Sequence, residues 1–332
     1  MREQPRVAVL VPCRNEAATV ASVVTEFRKT LAGCEIYVYD NGSTDDTGAR
    51  ARAAGAIVRR EDLRGKGNVL RRMFADVEAD VYVMVDGDAT YDAASAPLLV
   101  KRLIDGSLDM VTATRDSEDR TAAYRHGHRL GNRAFNAMLG LLFNTRPSDL
   151  FSGYRVFSRR FVKSFPASSH GFEIETELTV HALEQRVPTA EVRTPYFERA
   201  EGSSSKLSTY RDGARILARM VLLFKDVRPV AFFGGFAVVF FAAGSLLGFD
   251  VIVEFMETRL VPRLPTAVLA TGLMLLAFLA LGCGMILDSV ARGRREAKRM
   301  AYLAAGAPPS ALRQPLQSAE FQRPRQHVSD QR

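Results

Sequence analysis

The sequence predicts an α/β fold of Rossmann-like type, a mainly parallel sheet followed by an amphipathic juxtamembrane helix and two transmembrane helices. Three observations carry this. Short β-branched runs alternate with stretches of helical periodicity through the first two-thirds of the chain, the pattern of a parallel sheet with crossover helices. Turns rich in Asp, Asn, Ser and Gly follow the strand-like runs, where open α/β sheets bind their ligands. Two uncharged apolar stretches occupy much of the last third, each near the roughly 20 residues needed to cross hydrocarbon.

Val7 to Val11 is a β-branched run ending at Pro12, and Glu16 to Leu31 puts Val20, Val23, Val24, Phe27 and Leu31 at helical spacing. Ile36 to Tyr39, Ala56 to Val58 and Val81 to Val85 are strand-like, with helical Asp45 to Ala54 and Gly67 to Val77 between them. Ala94 to Asp105 and Asp109 to Thr112 add a helix and a strand. Tyr124 to Phe143 is helical, and Tyr154 to Phe157 and Ala190 to Thr194 are further strands. These elements make one domain over residues 1–205, of conventional size.

Over 206–229, Leu207, Tyr210, Ile216, Leu217, Met220 and Leu223 interleave with Arg211, Arg215, Arg219 and Lys225, giving a basic amphipathic helix. Spans follow at 230–249 and 267–287, joined by a loop over 250–266, and a basic segment with a loose, Pro- and Gln-rich tail fills 288–332. Gly234, Gly235, Gly244, Gly248, Gly272, Gly282 and Gly284 permit close helix contact in lipid, from which a homo-oligomer is expected. Basic residues before the first span and after the second put the domain and both termini in the cytoplasm, on a multi-pass inner membrane protein.

The 332 residues carry 45 Lys and Arg against 37 Asp and Glu, a net charge of +8 that implies an anionic partner. Because much of the excess flanks the spans, lipid headgroups and an anionic lipid phosphate explain it better than nucleic acid. Three scattered cysteines provide neither a disulfide framework nor a zinc site, and the five histidines show no metal-binding spacing.

The first two turns read Val11-Pro12-Cys13-Arg14-Asn15-Glu16 and Asp40-Asn41-Gly42-Ser43-Thr44-Asp45-Asp46-Thr47. Asn15, Ser43 and Asp45 suit helix caps, but polar turns at successive strand ends favour a pocket for base and ribose. Arg64-Gly65-Lys66-Gly67-Asn68 sets a cation at a helix start, which favours a phosphate. The chain lacks both the P-loop pattern and the Gly-x-Gly-x-x-Gly of dinucleotide enzymes. After Val85 comes Asp86-Gly87-Asp88, two carboxylates that need a cation between them, with Mg²⁺ or Mn²⁺ bridging to a diphosphate as the natural solution.

These motifs resemble the family-two glycosyltransferases of GT-A fold, in particular the polyprenyl-phosphate sugar synthases related to dolichyl-phosphate mannose synthase. The resemblance includes Ser152-Gly153-Tyr154-Arg155, Gly171-Phe172-Glu173-Ile174-Glu175 and Gly202-Ser203-Ser204-Ser205-Lys206-Leu207, and it runs from Val7 to about Pro229. It implies nucleotide-sugar contacts at Pro12, Asn15, Glu16, Asp40, Asn41, Lys66, Asp86, Gly87 and Asp88, with Asp86 and Asp88 as metal ligands. It also implies that Arg115, Arg129 and Lys206 lie near a polyprenyl phosphate acceptor. Glu175, with Glu173, is either an orienting carboxylate or weak base, or a charge favourable to its helix dipole. Asn41 stands where many relatives have Asp, and Thr90 where dolichyl-phosphate mannose synthases commonly have Gln.

An anionic lipid phosphate needs no strong base to attack a sugar, so an inverting single displacement is expected. A processive polysaccharide synthase would carry Gln-x-x-Arg-Trp, and the chain has no Trp. A nucleotidyltransferase would leave the spans unexplained. The remaining alternatives are a transferase with a different acceptor and a membrane-anchored, non-catalytic lipid- or partner-binding subunit.

Overall fold

The computed structural model of the chain describes residues 5–116, 140, 143, 148–167, 169, 171, 173–197 and 221–306. Among the described residues, seven strands, β1 (Val7–Cys13), β2 (Glu35–Asp40), β3 (Ile57–Arg60), β4 (Val81–Met84), β5 (Met110–Asp116), β6 (Arg155–Ser158) and β7 (Thr189–Pro195), form one sheet in the order β3-β2-β1-β4-β6-β5-β7. All neighbours pair in parallel except β6, which runs antiparallel to β4 and β5. The Rossmann-like half of the sheet is thus joined through one reversed strand to a second pair, β5 and β7.

Among the described residues, this domain includes the helices α1 (Val20–Thr30), α2 (Thr47–Ala53), α3 (Lys66–Asp76), α4 (Ala96–Asp105), α5 (Arg159–Ser164) and α6 (Ile174–Gln185). Side chains alternate across a strand, so β1 sends Val9 and Val11 into one core and Ala8 and Leu10 into the other. The first core adds Val24 and Phe27 of α1 and Leu99 and Leu103 of α4. The second adds Leu70 and Met73 of α3, Phe161 of α5 and Leu178 of α6. Apolar runs in the central strands follow from burial on both faces.

The α1 helix starts at Val20 rather than at Glu16, for a local reason. The backbone N–H groups of Asn15, Glu16 and Ala17 donate to Ser43 Oγ, Thr47 Oγ1 and Asp45 Oδ2 at 2.9, 2.8 and 3.2 Å. Side chains after β2 therefore hold the turn after β1 open. The short helix α5, capped by Ser158 Oγ accepting from Phe161 N, has no counterpart in the sequence reading. Of the stretch Tyr124 to Phe143, only residues 140 and 143 lie within the described residues, and both are helical.

Residues 221–227 are helical, and α7 (Pro229–Thr258) and α8 (Leu264–Ala304) follow, with 30 and 41 residues and apolar windows of mean hydropathy 2.2. Both are long and apolar enough to cross a membrane. Only 11% and 17% of those windows are buried, so their outer faces stay open, unlike the core helices of a soluble domain. A Cβ on Gly244 would lie 3.1 Å from the Ala270 carbonyl oxygen, and one on Gly284 3.2 Å from Phe233 Cβ. These two glycines let the hairpin close, whereas Gly234, Gly235, Gly272 and Gly282 face open space.

At about 1.5 Å per residue, α8 is ~60 Å long, roughly twice the hydrocarbon thickness. Its last turns reach the α/β domain. Tyr302 enters the second core at 7% exposure and donates to Asp109 Oδ2 at 2.8 Å. Lys298 pairs with Glu184 at 2.9 Å, Gln185 donates to the Arg295 carbonyl at 3.3 Å, and Arg159 to that of Ala305 at 3.1 Å.

Candidate active site

The site lies at the carboxyl ends of β1, β2 and β4. Asn15 sits in the left-handed region at φ 53°, which Asn tolerates better than most residues, and its Oδ1 accepts from Thr44 N at 2.9 Å. Asp40 Oδ1 accepts from Ser43 N at 2.9 Å, and its other oxygen packs where a Cβ on residue 48 would lie, at 3.3 Å. Gly48 thus makes room for the carboxylate. Asn41, 4% exposed, donates to the carbonyls of Glu61 and Leu63 at 2.9 and 2.8 Å and accepts from Gly65 N at 2.7 Å. Its amide clamps the end of β2 to the loop that opens α3, with Gly65 at φ 125°.

Beyond β4, Asp86 is half-buried and Asp88 buried. Ala89 between Asp88 and Thr90 adopts φ 57°, a conformation disfavoured for alanine by about 1–2 kcal/mol. The curl brings the Thr90 hydroxyl back to Asp88 Oδ1 at 2.7 Å. Gly87 is buried, and a Cβ there would strike the Glu16 carboxylate and lie 2.5 Å from Cys13 Sγ. Its carbonyl accepts from Thr19 Oγ1 at 2.7 Å, tying this turn to the start of α1. Burial and then the adjacent Glu16 push the Cys13 thiol well up, so it stays neutral.

Lys66, from the first turn of α3, folds inward. Its Nζ lies 2.5 Å from Asp86 Oδ1 and 2.6 Å from Glu175 Oε1, with only 8% of the side chain exposed. Burial works against the ammonium, but the two carboxylates outweigh it and hold the pKa well above the ordinary lysine value. Burial likewise pushes the Glu175 carboxyl up against the pull of Lys66. Glu175 opens α6 and joins the site from a distant part of the chain.

The Ser152-Gly153-Tyr154-Arg155 segment forms the floor. Ser152 Oγ donates to the Ala113 carbonyl at 2.6 Å, and Gly153 N–H to Tyr91 Oη at 2.8 Å. A Cβ on Gly153 would run into the Asp86 carboxylate, so any side chain there would have to displace it. Tyr154 packs edge-on against Phe27 at 5.9 Å between centroids. Arg155, fully buried, donates to the carbonyls of Ser152 and Leu150 and to Thr179 Oγ1 at 3.0, 2.6 and 2.8 Å. It pins the floor to α6 and is structural.

The structure therefore brings together Glu16, Lys66, Asp86, Gly87, Asp88 and Glu175, with Pro12, Asn15, Asp40 and Asn41 lining the neighbouring strand ends. Arg115 lies nearby, and its guanidinium makes a two-pronged pair with Asp149 at 2.7 and 2.8 Å and stands 5.4 Å from the Tyr196 ring centre. Arg129 and Lys206 lie outside the described residues, as do His126, His128 and His170. Sequence reasoning missed Tyr91, whose hydroxyl supports Gly153 behind Asp86. Its place three residues past Asp88 was the available signal.

Residues 8–165 match the family model for glycosyl transferase family 2. The chain is 32% identical over 295 residues to Glycosyltransferase AglJ of Haloferax volcanii, an alignment spanning 87% of this chain and 95% of that one. The chain belongs to glycosyl transferase family 2. It is also 27% identical over 209 residues to a dolichyl-phosphate hexose transferase of the same organism, covering 63% of this chain and 90% of the relative. Among solved structures, it resembles glucosyl-3-phosphoglycerate synthase from Mycobacterium tuberculosis in complex with Mn²⁺, UDP and glucosyl-3-phosphoglycerate. The TM-score is 0.53 at 26% identity, over 67% of this chain and 79% of that one. A family-two transferase accounts for the sheet order and for the polar turns at its carboxyl edge.

Proposed function

We propose that the chain is an inverting, metal-dependent hexosyltransferase. In this reading it moves a sugar from a UDP- or GDP-linked donor to a polyprenyl phosphate of undecaprenyl type, at the cytoplasmic face of the inner membrane. The observation that carries the reading is the union, on one chain, of a carboxylate-and-lysine site at the strand ends with two membrane-length helices. The dolichyl-phosphate hexose transferase among the relatives supports a lipid phosphate acceptor. The UDP and Mn²⁺ of the related synthase support the donor and the metal.

Asp86 and Asp88 are hard oxygen donors held by a short turn, and they fit Mg²⁺ or Mn²⁺. Among the described residues no group of three or more His, Cys, Asp and Glu could hold a metal ion. Two carboxylates supplemented by substrate phosphate and water is the usual Mg²⁺ arrangement. When bound, the ion offsets charge on the departing diphosphate. An oxygen of the lipid phosphate attacks the anomeric carbon, the bond from that carbon to the diphosphate oxygen breaks, and the configuration inverts. The acceptor is already anionic, so no strong general base is required. Pro12, Asn15, Glu16, Asp40 and Asn41 define the nucleoside end in this reading. Arg115, Arg129 and Lys206 steer the acceptor phosphate.

Basic residues flanking the spans favour cytoplasmic termini, and the open faces at Gly234, Gly235, Gly272 and Gly282 favour association of copies in the membrane. A monomeric mass by light scattering in mild detergent would contradict that association. The central test incubates purified full-length protein with undecaprenyl phosphate and a panel of UDP- and GDP-sugars. Lipid-linked monosaccharide detected by mass from at least one donor is the expected result, and its absence across the panel would sink the proposal.

A further inference from the structure

Lys66 is held from two sides by groups with different freedom. Asp86 is backed by Gly153, where even a Cβ would collide with its carboxylate, and its Oδ1 is in contact with the Lys66 ammonium. Glu175, 4% exposed, binds the same ammonium through Oε1, while its Oε2 is buried with no hydrogen-bond partner. Two carboxylates around one buried ammonium leave an excess negative charge, and a carboxylate oxygen with an unused lone pair points to a second resting position for the cation. Lysine, a point charge on a flexible stem, can change acceptor without moving the backbone.

We propose that Lys66 is an internal stand-in for the divalent ion at Asp86. It neutralises that carboxylate in the metal-free protein and lets go of it when metal and nucleoside diphosphate arrive together. Glu175 is the positioning residue that sets how firmly Lys66 holds Asp86. The inference rests on the reading of Asp86 as a metal ligand and deepens it. Two cations on one carboxylate repel each other, so metal alone binds weakly. Once the diphosphate is present, Lys66 gains a new anionic partner while Glu175 keeps its ammonium near the site. Binding of metal and nucleotide is therefore strongly cooperative, which keeps the site from filling with metal before the donor arrives.

The test is titration of Mn²⁺ into the full-length protein in detergent, alone and with saturating UDP or GDP, reading unbound Mn²⁺ by electron paramagnetic resonance; UDP below stands for whichever of the two binds. Lys66→Met is expected to tighten binding of Mn²⁺ alone by about tenfold and to shrink the gain that UDP confers. Glu175→Gln removes the competing carboxylate, concentrates Lys66 on Asp86 and is expected to weaken binding of Mn²⁺ alone. Unchanged or weaker Mn²⁺ binding in Lys66→Met, or shifts of the same sign in Lys66→Met and Glu175→Gln, would overturn the proposal while leaving the metal site standing. If wild-type protein bound no Mn²⁺ with either UDP or GDP, the metal site itself would fall, and the role of Lys66 with it. Circular dichroism checks that each variant is folded, and Glu175→Gln decides the matter should Lys66→Met not fold.

Discussion

Two buried charge clusters stand on the same sheet and are built to opposite specifications. At the carboxyl edge, Lys66 bridges Asp86 and Glu175, Asp86 keeps 27% of its side chain exposed, and Glu175 Oε2 has no hydrogen-bond partner. At the other edge, Asp109 is fully buried and well supplied with donors. Its Oδ1 accepts from Ser158 Oγ at 2.6 Å and Arg160 Nε at 2.5 Å, and its Oδ2 from Arg160 Nη2 at 2.9 Å and Tyr302 Oη at 2.8 Å. The rings and guanidinium groups close over it, with Arg160 and Arg299 4.8 and 4.9 Å from the Tyr302 ring centre. A satisfied network rigidifies what it joins, whereas an unpaired buried oxygen such as Glu175 Oε2 is costly. The Asp109 cluster fastens the end of α8 to the α/β domain, and the Lys66 cluster stands at the edge where the proposed chemistry would take place.

The comparison breaks most visibly through Asp109. Asp109→Ala strands Arg160 beside a buried gap and should cost about 3–5 kcal/mol of stability, seen as a lower unfolding temperature. Tyr302→Phe keeps the ring and loses one hydrogen bond, for about 1–2 kcal/mol. Faster hydrogen exchange over residues 295–305 should accompany it, while UDP binding is unchanged. If Tyr302→Phe lowered UDP affinity as much as stability, the two clusters would not be separable.

Asp88→Ala inverts the pattern. Glycosyl transfer should fall by about a hundredfold or more, with the unfolding temperature close to wild type. Full activity in a folded Asp88→Ala protein would remove Asp88 from the metal site.

The smallest effect concerns His181, buried between the edges of Phe161 and Phe165, with Nε2 3.1 Å from Ser164 Oγ. Burial, with a smaller push from Lys298, lowers its pKa to about 3 from 6.5. The unfolded chain therefore binds a proton below about pH 6.5 that the folded chain refuses until about pH 3. Stability is lost as pH falls through that window, with a slope from this residue of at most ~1.4 kcal/mol per pH unit. His181→Gln should flatten the decline in unfolding temperature between pH 7 and 4. An unaltered profile would show that other groups set it.

Much of this was legible in the sequence because it is local. The β-branched runs, the helical spacing of Val20, Val24 and Phe27, and the carboxylates following Val85 all lie within a few residues of one another, so strand ends and their polar turns could be named in advance. Other features depend on contacts between remote segments. The start of α1 is delayed by Ser43, Asp45 and Thr47, about thirty residues further on. Neither the reversed direction of β6 nor the role of Gly153 behind Asp86 follows from residues 152–158 alone, since the first is defined by β4 and the second by the turn beyond its end.

The +8 charge, the two apolar stretches and the ordered polar turns are properties of composition and short-range pattern, and the sequence by itself determined them. Hydrophobic periodicity acts on neighbouring residues and needs no knowledge of what lies across the sheet. Only the tertiary structure decided that Glu175 shares Lys66 with Asp86 and that α8 ends in the core through Tyr302. The Tyr302 contact with Asp109 spans 193 positions of the chain. Such pairings depend on burial, which lowers the local dielectric and makes each charge's choice of partner a matter of whole-fold geometry rather than of spacing.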